Sequence, residues 1–205
     1  YLLDSAEVYL NKIKVSSSYS ERIHFYYLKE DYRSIINVVN VIPDLLSKLD
    51  KESYSNNDAW TAYRVGQAYL NIDKKYHAIT YLEKANKLAP FMLKFRLKLA
   101  DTYNILGKLD QAEQEYRKLI AEFPKDESSW CNLGFLLHQK KNYLEADKCY
   151  EEALSLNPQH LQTLFNKVSL EYQKRNTESC VLYLNQILEI QPDNQKAKLL
   201  LDQVL

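Results

Sequence analysis

Chain breakers are scarce in this sequence, with 3 glycines and 5 prolines in 205 residues. So few leave long, uninterrupted helices as the simplest reading. Cysteine is equally sparse. Cys131, Cys149 and Cys180 form no CxxC, no even framework and no metal spacing. They read as small apolar residues in helix packing, and they suit a reducing compartment better than an oxidising one. Excess charge of either sign is missing, because 27 basic residues face 27 acidic ones. The overall field therefore offers no pull toward nucleic acid or an anionic membrane. No apolar run approaches the roughly 18–20 residues that span a bilayer, so membrane insertion is not expected. No basic-then-apolar leader opens the chain. It starts at Tyr1 rather than Met, which suits a piece of a longer protein and leaves a leader further upstream open. The expected location is cytoplasmic.

What the sequence does have is a period. Pro90, Pro124, Pro158 and Pro192 are each 34 residues from the next, and a fixed period of this size marks a stacked repeat protein. Aligning the prolines aligns other columns. Gly66, Tyr69, Ala78, Leu82 and Ala85 precede Pro90, and Ala100, Tyr103, Ala112, Tyr116 and Leu119 precede Pro124. The next two rows are Gly134, Leu137, Ala146, Tyr150 and Ala153, then Val168, Glu171, Cys180, Leu184 and Ile187. Small residues at the first and third columns let two helices lie close, and bulky ones fill the spaces between. Each proline fixes φ and lacks an N–H, so it ends a helix. Short segments such as Leu106-Gly107-Lys108 and Lys141-Asn142-Tyr143 suit tight turns between antiparallel helices.

With Trp130 and Leu133 ahead of Gly134, these columns resemble the tetratricopeptide repeat (TPR) family, whose pattern runs Trp, Leu-Gly, Tyr, Ala, Phe, Ala, Pro. The resemblance covers residues 59–194. It implies an all-α fold, a right-handed superhelical solenoid of antiparallel helix pairs. The expected layout is N-terminal helices in 1–57, four repeats at 59–92, 93–126, 127–160 and 161–194, and a capping helix at 195–205. In the fourth repeat Lys167, Val168 and Glu171 stand in apolar, small and aromatic columns, which fits a unit with one face less covered. Apolar-rich runs at 20–30 and 32–42 fit a degenerate repeat, with a non-repeat helical cap as the alternative and 2–14 as a preceding helix. The polar segment 50–57 reads as a longer connection.

Catalytic constellations are absent from the pattern. His24, His77, His138 and His160 are scattered without ligand spacing, so no metal and no cofactor is expected. Three isolated glycines build no phosphate loop and no nucleophile elbow. The basic cluster Lys94, Arg96 and Lys98 is interrupted by Asp101, which is poor support for nucleic acid.

The family resemblance implies that the first helix of each repeat lines a concave groove holding partner segments. Helical spacing picks Trp60, Tyr63, Arg64 and Gln67 in the first repeat, and Lys94, Lys98 and Asp101 in the second. In the third it picks Ser128, Cys131, Asn132, Phe135 and Gln139, and in the fourth Gln162, Phe165, Asn166, Ser169 and Gln173. Asn132 and Asn166 recur one period apart, and such amides can bond a peptide backbone without reading its sequence. The aromatics add hot-spot surface. Arg64, Lys94 and Lys98 bias one end toward acidic groups. The family's chaperone-binding carboxylate clamp is not matched, since only Asn132 falls on its pattern. The function expected is a non-enzymatic interaction scaffold for a peptide or protein partner. The alternatives are an accessory arm of a larger enzyme or of a secretion or assembly machine, or a module that self-associates through its ends.

Overall fold

The computed structural model describes residues 18–42, 44–49 and 56–204. The preceding helix expected at 2–14, most of the polar connection at 50–57 and Pro43 lie outside the described residues. Every regular element among those described is a helix. The chain divides into two compact units, Tyr1–Gly107 and Lys108–Leu205.

The first unit holds α1 (Tyr19–Leu28), α2 (Tyr32–Asn40), a single turn α3 (Leu45–Lys48), α4 (Asn56–Asn71), α5 (Lys75–Leu88) and α6 (Leu93–Ile105). Helix α4 packs on α1, α2 and α5, and α5 packs on α6. Asn56 and Asn57 already belong to α4, so the connection is shorter than its polar composition suggests. The second unit holds α7 (Leu109–Glu122), α8 (Glu127–Gln139), α9 (Tyr143–Leu156), α10 (Leu161–Gln173), α11 (Thr177–Ile190) and α12 (Gln195–Val204). Each packs on the next in sequence from α8 to α12, and α8 also touches both α7 and α10.

The packing follows the columns. Ala146, Cys149, Tyr150 and Ala153 form the buried stripe of α9, at the i, i+3, i+4, i+7 spacing of an amphipathic helix. The same columns supply the buried Ala78, Leu82 and Ala85 of α5 and the buried Cys180, Leu184 and Ile187 of α11. Close approach explains the two helical glycines. A Cβ on Gly66 would lie 2.7 Å from Leu82 Cγ, and one on Gly134 would lie 2.6 Å from Tyr150 Cε1. Glycine is required at both.

Two backbone devices set the turns. Between the helices of a pair, one residue takes the left-handed conformation: Asp73 (φ 58°), Gly107 (72°), Lys141 (63°) and Arg175 (59°), again 34 residues apart. The N–H of Lys74 reaches the Tyr69 carbonyl at 2.8 Å and that of Asp73 reaches Leu70 at 3.0 Å, a Schellman closure. The same pair of bonds closes α8 through Lys141 and Asn142 and α10 through Arg175 and Asn176. It also closes α1 through Glu30 (φ 56°) and Asp31. Between pairs, Ala89, Phe123, Asn157 and Gln191 are extended, with φ between −127° and −141°, as the residue before a proline must be.

The fourth repeat corrects one expectation. Lys167, Val168 and Glu171 are 3%, 5% and 5% exposed, so that face is covered rather than open. Burial is tolerable because the charges are matched. Lys167 Nζ donates to Asp147 Oδ1 and lies 5.3 Å from the Tyr183 ring centroid. Lys174 Nζ donates to Asp147 Oδ2 at 2.6 Å and to Glu171 Oε1 at 2.9 Å, and Asn176 Nδ2 donates to Glu171 Oε2 at 3.0 Å. Burial alone would raise the Asp147 carboxyl, but the hydrogen bonds and charges of Lys167 and Lys174 hold it below its ordinary value. Beyond this network Ala197 is buried with Leu164, Val168, Leu184 and Ile187, and Leu200, Leu201 and Val204 pack against the same cluster.

Candidate functional site

In the second unit, α8 and α10 lie side by side, and a cleft of about 300 Å³ opens where they meet the turn into α9. Phe135 stands at its edge, 42% exposed. Gln139, Ser169 and Gln173 supply exposed polar groups, Lys141 sits at the turn and Tyr143 closes one side. His138 also faces this cleft, although it is only 9% exposed. Its ring meets Tyr143 edge-on at 5.6 Å, and its Nε2 has no hydrogen-bond partner. A buried polar nitrogen without a partner is unfavourable in itself.

The helical spacing places the other candidates unevenly. Asn132 is half-buried on α8. Asn166, its counterpart on α10, is 7% exposed and engaged within the protein. It accepts from Gln162 Nε2 at 3.1 Å and donates to Cys131 Sγ at 3.5 Å. Cys131 is fully buried and offers no surface. Phe165 packs on the cluster that α12 covers, with Lys196 Nζ 4.5 Å from its ring centroid. The first helix of one repeat thus buries part of the first helix of the next, which spacing within a single helix does not reveal.

In the first unit, Tyr63 is 1% exposed and corrects its placement as a groove residue. Its ring stacks on Phe95 at 4.8 Å, and its hydroxyl accepts from Gln67 Nε2 at 2.6 Å. Burial pushes its pKa up to about 12. Trp60 is half-buried, edge-on to Tyr63 at 5.7 Å and to Phe95 at 4.8 Å. Arg64 and Lys94 rest over aromatic faces, while Lys98 pairs with Asp101 at 3.8 Å.

His138 is the residue that sequence reasoning missed, since a lone histidine between two leucine-rich turns carries no signal of an unpartnered nitrogen. His160 bonds Thr163 Oγ1 through Nδ1 at 2.6 Å. Among the described residues no three His, Cys, Asp or Glu side chains gather as a metal site. No helix among them is long and apolar enough to cross a membrane. Cys131, Cys149 and Cys180 are free and buried, and burial pushes the Cys149 thiol up to about 12.

Comparison with known proteins agrees with this architecture. The family model of the cilia and flagella-associated protein 70 middle TPR-like domain matches residues 96–201, just over half of the chain, and a tetratricopeptide repeat model matches residues 61–91. The chain belongs to the tetratricopeptide repeat family. This TPR chain is 35% identical over 91 residues to the human N-alpha-acetyltransferase 16, NatA auxiliary subunit. That match takes in 44% of this chain but only 10% of the relative, so the chain corresponds to a small part of it. The crystal structure of a tetratricopeptide repeat protein from Parabacteroides merdae superimposes with a TM-score of 0.73 at 18% identity, covering 91% of this chain and 70% of that one. YrrB, described as a TPR protein with an unusual peptide-binding site, superimposes with a TM-score of 0.62 at 18% identity, covering 95% and 98%. The two structures establish the TPR fold.

Proposed function

We propose that the chain is a non-enzymatic scaffold that holds a peptide segment of a partner protein against α8 and α10. The observation that carries this reading is the cleft beside Phe135, where an unpartnered His138 nitrogen lies beneath a rim of amides. An extended segment could set one side chain into a space of this size, against Phe135 and Tyr143. Its backbone would bond Gln139 and Gln173, groups that donate and accept without reading sequence. Exposed aromatic surface beside amides is the composition of an interaction hot spot. The balanced charge of the chain favours a protein partner over nucleic acid.

Selection of displayed twelve-residue peptides against the immobilised chain tests this directly. The double substitution Phe135→Ala with Gln139→Ala alters exposed positions, so it is expected to weaken the selected peptides at least tenfold with little change in melting temperature. Undiminished binding by that variant would reject the cleft. The likeness to a NatA auxiliary subunit favours a second reading, in which this region is the accessory arm of a larger protein. Three free, buried cysteines suit a reducing compartment such as the cytoplasm.

A further inference from the structure

The second unit neutralises many of its cations. Lys140 Nζ meets Asp110 at 3.0 Å and Glu113 at 2.7 Å, and Arg117 bridges Glu113 at 2.9 Å and Glu145 at 2.6 Å. Lys174 joins Asp147 and Glu171. Two cations in Tyr1–Gly107 that share one aromatic ring behave differently. Arg64 on α4 and Lys94 on α6 take part in none of the ion pairs found among the described residues. Each lies over aromatic rings instead. The Arg64 guanidinium carbon is 5.6 Å from the Trp60 ring centroid and 6.0 Å from that of Tyr27. Lys94 Nζ is 5.6 Å from both Trp60 and Tyr63.

Trp60 is therefore shared by both cations, and its orientation is fixed by edge contacts to Tyr63 and Phe95. The neighbouring Lys98 is occupied by Asp101. The positive field around Arg64 is felt locally, because burial and then the Arg64 charge hold the His24 pKa below its ordinary value. A cation resting on a ring face keeps part of its donor set for another acceptor. An arginine offers a planar fork for a carboxylate in particular.

We propose that Trp60, Arg64 and Lys94 form a docking site for an acidic segment of a partner protein, its carboxylates on the two cations and its apolar stems along Trp60. This rests on the scaffold reading and adds a further contact, of acidic chemistry, in Tyr1–Gly107. Charge complementarity selects the occupant. Two cations with an acidic neighbour at Asp101 suit one or two carboxylates, whereas an oligonucleotide needs a continued basic track beside its stacked bases.

The test uses the whole chain and a fluorescein-labelled peptide rich in Glu and Leu, beside the same peptide with every Glu replaced by Gln. Anisotropy at low salt is expected to show the Glu peptide binding about five- to tenfold more tightly, the scale of two partly exposed charge pairs. The preference shrinks as salt rises. The double variant Arg64→Gln with Lys94→Gln abolishes it, while the charge-keeping swap Arg64→Lys with Lys94→Arg retains most of it. Circular dichroism confirms that both variants stay helical. Equal affinity for the two peptides, no measurable binding of the Glu peptide, or a preference that survives the Gln variant would each overturn the site. Tighter binding of a single-stranded oligo-dT would do so as well. Failure of the cleft at Phe135 is seen separately, as peptides selected on the chain that ignore the Phe135→Ala, Gln139→Ala variant while the Glu preference persists.

Discussion

Gly134 and Tyr150 compete for one space. A methyl on Gly134 would lie 2.6 and 2.7 Å from two atoms of a ring that is itself fully buried, so the ring has nowhere to retreat. Gly134→Ala gains about 1 kcal/mol in helix propensity but loses about 1–3 kcal/mol to overpacking. A net loss of up to about 2 kcal/mol in urea unfolding is expected, and a more stable variant would show that α8 and α9 have slack. The small-residue column was legible in the sequence for this reason: close helix approach favours small residues there. Tyr63 and Asn166 were not legible as buried. Their columns face outward from their own helices, and only the neighbouring helix decides whether that face meets water.

Among the elements, α9, α10 and α11 are tied by charge as well as by packing. Asp147 on α9 answers both Lys167 and Lys174. From sequence, a lysine and a glutamate in apolar columns look like weakened packing. The compensating carboxylate lies 20 residues before Lys167, outside any periodicity that hydrophobic pattern can detect. Because folding holds the Asp147 carboxyl low, the stability it adds is present above its unfolded pKa of about 3.9 and is lost as pH falls through the folded value. Asp147→Asn is therefore expected to lose about 2–4 kcal/mol at pH 7, since Lys167 stays buried without its main counter-ion. Its melting temperature should then vary less than the parent's on acidification below about pH 4. Parallel pH curves for the two proteins would contradict this assignment.

For the whole molecule, stability in a repeat protein is carried from neighbour to neighbour. Removing residues 195–205 uncovers Leu164, Val168, Leu184 and Ile187, with the contacts of Leu200, Leu201 and Val204 lost. A loss of about 3–5 kcal/mol is expected from the apolar area exposed. Hydrogen exchange should quicken in α10 and α11 and much less in α8. Uniform acceleration across Lys108–Leu205 would instead mean that this unit unfolds as one block. The helix pairs themselves were readable at this scale, because the prolines, the small columns and the turn residues repeat in phase. The start of α4 was not. Asn56 and Asn57 begin the helix although both are polar.

The left-handed turn residues separate shape from surface chemistry. Their hydrogen bonds are made by backbone alone, and four of these positions hold an acid, a glycine and two bases: Asp73, Gly107, Lys141 and Arg175. All four positions are exposed, so the Asp73, Lys141 and Arg175 side chains leave the helix pair without entering its core. The electrical character of the turn ends can therefore change without touching the packed core, within the set of residues that accept a left-handed backbone. Partner preference in such a protein has a route for change that the fold does not resist.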